Sequence, residues 1–201
     1  MKGFVAKSML IVLGCWLSFS AAGQTKSLLI RLTQDDSIYV LEKSSMSIVM
    51  KKKNFKMQVF MQRLRGVFIF ASFRDSLYNL PDSGPVPGFA DLPDLIMKEE
   101  DYNKEKELFV SDLGWCYWCY DHTEGSKGFN RKLIVLDSTR VMGIKSIKQV
   151  YLPELRKTIK LKDINQTLYL FFVAVEDFDD HGKPMKEFIR RKVKIDWIEY
   201  D

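Results

Sequence analysis

The stretch Phe55-Lys56-Met57-Gln58-Val59-Phe60-Met61-Gln62 sets Phe55, Met57, Val59 and Met61 on one phase of a two-residue period and Lys56, Gln58, Phe60 and Gln62 on the other. Successive side chains of an extended chain point to opposite sides, so this pattern predicts a strand with one face buried. After Leu64-Arg65-Gly66 comes Val67-Phe68-Ile69-Phe70-Ala71, a wholly apolar run. The two strands read together as a hairpin across Leu64-Arg65-Gly66. Upstream, Ile38–Leu41 and Met46–Met50 read as strands, Leu28–Leu32 as an edge strand, and Lys51-Lys52-Lys53 as a turn.

Downstream, the spacing predicts strands at Leu108–Val110, Trp115–Tyr120, Lys132–Leu136, Val141–Ile144 and Ile147–Leu152, with a turn at Asp137-Ser138-Thr139. Thr167–Val175 and Phe188–Ile198 form the arms of a long hairpin around the polar loop Glu176–Lys186. The acids of that loop and the cations Lys186, Arg190, Arg191, Lys192 and Lys194 are expected to pair across it. Asp177, Asp179 and Gly182 echo the start of a calcium loop, but the twelfth position is Phe188, so a solvated hairpin tip is the simpler reading. Residues 79–107 break the strand pattern. They hold Pro81, Pro85 and Pro87, then an acidic, lysine-rich stretch. This region reads as one long loop, with or without a short helix, serving either as a lid or as a crossover between sheets.

Many short strands separated by turn signals predict an all-β fold, a β-sandwich of about seven to nine antiparallel strands. The spacing of Leu161, Asp163, Asn165 and Tyr169 is similar to the tyrosine corner of immunoglobulin-like domains. That resemblance implies a phenol bonded back to upstream backbone.

Composition narrows the class. The 201 residues are 46% hydrophobic and 28% charged, with 11 glycines and 6 prolines, which excludes disorder, collagen and a multi-span membrane protein. Residues 1–23 read as a signal peptide. Lys2 and Lys7 precede the apolar run Met9–Leu17, and the small residues Ser20, Ala21, Ala22 and Gly23 follow it. The expected mature chain, 24–201, is a single domain. Loss of Lys2 and Lys7 lowers its formal charge from +5 to +3. Nucleic acid is not an expected partner at that charge in an exported protein. Val12-Leu13-Gly14-Cys15 resembles a lipobox, which implies membrane attachment through a lipidated Cys15 as an alternative to a soluble periplasmic or extracellular protein.

One segment concentrates chemistry: Trp115-Cys116-Tyr117-Trp118-Cys119-Tyr120-Asp121-His122. Trp115, Tyr117, Trp118 and Tyr120 are candidate binding residues, as a platform for carbohydrate or a protein, or else core. Cys116 and Cys119 are candidates for a disulfide or a redox pair. The W-C-x-x-C order resembles the thioredoxin active site, which implies a thiolate at a helix N-terminus. Cys116, Cys119 and His122 also have a spacing that suits three ligands of one metal. If 115–120 is a straight strand, residues three apart lie about 10 Å from each other. That exceeds the ~7 Å a disulfide spans.

The chain has two histidines, no phosphate loop, no nucleophile elbow and no zincin motif. No catalytic residue and no cofactor is assigned. The expected function is protein–protein binding by an exported, non-catalytic component of a bacterial envelope assembly, such as a secretion apparatus. The alternatives are a carbohydrate- or ligand-binding module built on the aromatic cluster, and a thiol-redox or metal site.

Overall fold

Alternation in the sequence becomes alternation of burial. In β1 (Ser27–Gln34) Leu28, Ile30, Leu32 and Gln34 are buried, while Leu29, Arg31 and Thr33 are half-buried. In β4 (Phe55–Gln62) Phe55, Met57, Val59 and Met61 are buried. The computed structural model describes residues 25–64, 66–82, 115–119, 133–178 and 184–199. Over them the protein is an all-β structure in several sheets, none closed. Residues 1–24, 83–114 (with the expected strand Leu108–Val110) and 120–132 lie outside the described residues.

Sheet A joins β2 (Ser37–Leu41), β1, β4, β8 (Arg140–Ile147) and β7 (Leu133–Val135), in that order, all antiparallel. Sheet B runs β3 (Ser45–Lys51), β12 (Pro184–Ile198), β11 (Leu168–Phe178), β5 (Gly66–Ser72) and β6 (Trp115–Cys119). Its pairs are antiparallel except β3 with β12, where Ser45 to Lys51 run parallel to Lys192 to Ile198. A two-stranded ribbon, β9 (Gln149–Leu152) with β10 (Lys157–Lys160), completes the set. Among the described residues there are twelve strands, one pair of them parallel, where about seven to nine antiparallel strands were expected. The extra strands are short, and the parallel partners are too far apart in sequence for local patterning to show.

One hydrophobic cluster receives side chains from both sheets. Ile30, Leu32, Met57 and Val59 come from sheet A; Ile69, Leu170, Phe172 and Ile195 come from sheet B. The ribbon and the 3-10 turn Leu161–Asp163 add Val150, Leu152 and Leu161, each at most 1% exposed. A second fastening is Arg191, whose Nε donates to Leu28 O at 3.1 Å and so ties β12 to β1.

Sheet B is buried on both faces along β5 and β11. Val67, Ile69, Leu170 and Phe172 point into the shared cluster, while Phe68, Phe171, Val173 and Val175, of opposite parity, are at most 2% exposed as well. This explains why β5 reads as unbroken apolar sequence and β4 as alternating. It also corrects the expected hairpin at Leu64-Arg65-Gly66. β4 pairs with β1 and β8, β5 with β11 and β6, and the chain crosses between sheets there. Arg63 takes φ 55° at the crossing, its N–H donates to Thr139 O at 2.7 Å, and Leu64 is buried in the core. Leu28–Leu32 is likewise no edge, because β1 sits between β2 and β4.

The lysine turn is present and ties the sheets together. β3 ends at Lys51 and β4 starts at Phe55, so the turn is a second crossing. Gln34, only 6% exposed, holds it: its Nε2 donates to Lys51 O and Lys53 O at 3.0 Å each, and its Oε1 accepts from Lys51 N at 2.8 Å. Asp35, at φ 52° in the β1–β2 turn, pairs with Lys53, which holds its carboxyl below the usual range.

The terminal hairpin forms as expected, with longer arms. Asp177 stands opposite Met185 and Phe178 opposite Pro184, after a bulge between Val175 and Asp177. Asp179 to Lys183 lie outside the described residues. Pairing of charges across the arms is corrected for Lys192 and Lys194. Their cross-strand neighbours are Phe171 and Tyr169, and their ion-pair partners are Asp82 at 2.9 Å and Asp196 at 3.2 Å. Lys192 also donates to Leu80 O at 2.7 Å, and Arg190 to Pro81 O at 2.8 Å. These cations pin residues 80–82 over β12. Tyr169 packs on Tyr78 with ring centroids 5.4 Å apart. Among the described residues its phenol makes no hydrogen bond back to 161–165, so the tyrosine-corner contact is not formed there.

Candidate functional site

The segment singled out in the sequence becomes the edge strand β6. Its backbone pairs with β5 in unbroken register: Trp115 opposite Phe70, Cys116 opposite Ile69, Tyr117 opposite Phe68, Trp118 opposite Val67 and Cys119 opposite Gly66. Cys116 therefore sits inside a paired strand, where the thioredoxin resemblance implied the start of a helix. Tyr120 and His122 lie outside the described residues, as does Cys15. The strand brings Cys116 and Cys119 to positions three apart on one extended segment.

A different surface stands out among the described side chains. The face of sheet A that points away from the core is only partly covered. Cross-strand register lines up Leu29 with Phe60, Phe60 with Met142, and Met142 with Ile134, one apolar stripe across β1, β4, β8 and β7. Beside it Val40 pairs with Arg31, and Arg31 with Gln58. Ile38 is 62% exposed, and Ile134 and Leu136 are 46% exposed.

At one end of the stripe an open groove of about 320 Å³ is lined by Leu29, Arg31, Phe60, Gln62, Leu136 and Arg140, among others. Arg31 lies over the Phe60 ring, its Cζ 5.2 Å from the centroid. Such stacking contributes about 0.5–1 kcal/mol at a partly exposed site. The Arg31 Nε is buried and, among the described residues, has no acceptor. Leaving a buried donor unmet costs about 1–3 kcal/mol. Arg140, across the groove, is engaged instead. Its Nε donates to Asp137 Oδ2 at 2.6 Å, and Asp137 Oδ1 accepts from the Thr139 and Arg140 N–H groups at 2.8 and 2.9 Å. The Thr139 N–H, followed by the Arg140 guanidinium, lowers the Asp137 carboxyl to about 2. Asp137 is thereby committed to the β7–β8 turn.

None of these groove residues was singled out from sequence, although a signal was present. Phe60 is the single aromatic among Lys56, Gln58 and Gln62 on the solvent phase of β4. Among the described residues no group of three histidine, cysteine, aspartate or glutamate side chains gathers as for a metal. Compared with known proteins, the chain matches no family model, no curated protein and no solved structure.

Proposed function

We propose that the protein is an exported, non-catalytic binding protein whose two sheets stack as a sandwich with immunoglobulin-like use of its faces, and that it serves as an accessory component of a bacterial envelope assembly such as a secretion apparatus. The observation that carries this reading is the outer face of sheet A, where an apolar stripe and the Arg31–Phe60 stack are left partly open. Exposed apolar side chains that line up across a sheet are characteristic of contact surfaces, and arginine and aromatic side chains are the residue types that anchor them. The basic, apolar start of the sequence supports export. The open edge of β2, with Ile38 and Val40 exposed, adds a place for a partner strand.

The test is fractionation of the source cells followed by cross-linking and affinity capture of the full chain from the envelope fraction. Specific co-purification of envelope proteins is expected. An abundant soluble monomer that cross-links to nothing overturns the proposal.

A further inference from the structure

We infer that the groove on the outer face of sheet A docks an extended segment of a partner protein in which an acidic side chain stands two residues from an apolar one. This deepens the protein-binding reading above and rests on it. Leu29 and Arg31 lie two residues apart on β1 and point to the same face. Same-face neighbours on a strand are separated by about 6.7 Å, the spacing any extended peptide repeats. A segment laid along β1 thus places an acid over Arg31 as it places an apolar side chain over Leu29 and Phe60.

Charge selects the acid. Among the described residues Arg31 has no carboxylate partner, and the nearby Asp137 is held by Arg140 and two backbone N–H groups. Lys56, exposed on the same face of β4, adds to the positive field. Guanidinium groups bind carboxylates through two parallel hydrogen bonds, which fixes orientation as well as affinity. Form favours a peptide over an acyl chain. The groove is open and continues into the exposed Ile134 and Leu136, whereas sites for small apolar ligands enclose most of the ligand's surface.

The probes are twelve-residue fluorescent peptides in which aspartate or glutamate stands two residues from leucine, isoleucine or phenylalanine, and the same peptides with asparagine and glutamine in place of the acids. Anisotropy with the full chain is expected to show the acidic set binding at least tenfold more tightly. Arg31→Met removes that preference, and Leu136→Asp, at an exposed turn position, weakens the acidic set at least tenfold without touching the core. Equal binding of the two sets, or acid preference that survives Arg31→Met in a folded chain, overturns the inference. So does binding confined to anionic phosphatidylglycerol vesicles, or self-association that Leu136→Asp abolishes while the peptides stay silent. Envelope partners captured equally by wild type and Arg31→Met overturn the acidic groove and leave the protein-binding reading standing. Acid-selective peptide binding without any captured envelope partner supports the groove and overturns the assembly role.

Discussion

Two polar residues show how much a single side chain can decide. Gln34 occupies a core-phase position in β1, where the alternation of Leu28, Ile30 and Leu32 calls for an apolar residue. It is tolerated because three backbone groups of the lysine turn satisfy its amide. Gln34→Ala removes the three hydrogen bonds that tie the lysine turn to β1, and urea unfolding is expected to show a loss of about 1–3 kcal/mol. Asp137 is a case in pH. Its carboxyl titrates at about 2 in the fold, against about 3.9 in an unfolded chain. A depressed folded-state value stabilises above the unfolded value, and that stabilisation disappears as pH falls from about 4 towards 2. The melting temperature of Asp137→Asn should therefore lie below wild type at pH 6, and the gap should shrink steadily as pH falls from about 4 through about 2. A gap independent of pH would show that the carboxylate charge does not hold the turn.

At the scale of strands, what was legible is the existence of the elements; what was not is their partners. Every described strand from β1 to β6 overlaps a stretch picked out by period-two or apolar patterning. β4 and β5 nonetheless read as a hairpin from sequence because they are adjacent and separated by a short Gly-containing link. Their patterns already differed: β4 alternates because one face meets solvent, and β5 does not because both faces are covered. That difference predicts paired substitutions on β11. Phe172→Ala, into the shared cluster, is expected to cost about 3–5 kcal/mol, and Phe171→Ala on the opposite face a similar amount. A near-neutral Phe171→Ala would mean that face is open. For β6, the regular pairing with β5 sets Cys116 and Cys119 about 10 Å apart. Peptide mapping of the folded, non-reduced protein should find no disulfide between them, and recovery of that linked peptide would show the strand bends at Tyr117-Trp118.

For the whole molecule, the two sheets divide the work. Sheet B is covered on both faces and anchored by buried Arg190 and Lys192, charges that a sequence reading places in solvent because they alternate with Val193 and Ile195. Local patterning cannot reveal them, since the groups they bond, Leu80, Pro81 and Asp82, lie more than a hundred residues upstream. Sheet A keeps one face towards solvent, and the candidate site lies there, on the other sheet from the cysteine-aromatic strand β6. The shared cluster makes methionine chemistry a probe of global integrity. Met50, Met57 and Met61 are each 1% exposed, while Met46 and Met142 are only partly buried. Dilute peroxide followed by mass spectrometry should oxidise Met46 and Met142 first and reach the other three only with unfolding.

The parallel pairing of β3 with β12 has a consequence for the timing of folding. Ser45 finds Lys192 beside it, and among the described residues β12 is the one sheet partner β3 has. A ribosome delivers β3 nearly 150 residues before that partner exists. The β3 side of sheet B therefore stays unformed on a nascent chain until residues 184–198 have emerged, and closing so distant a contact is slow. Sheet A, whose strands all end by Ile147, can pair long before that, so the two sheets are completed at different points of synthesis.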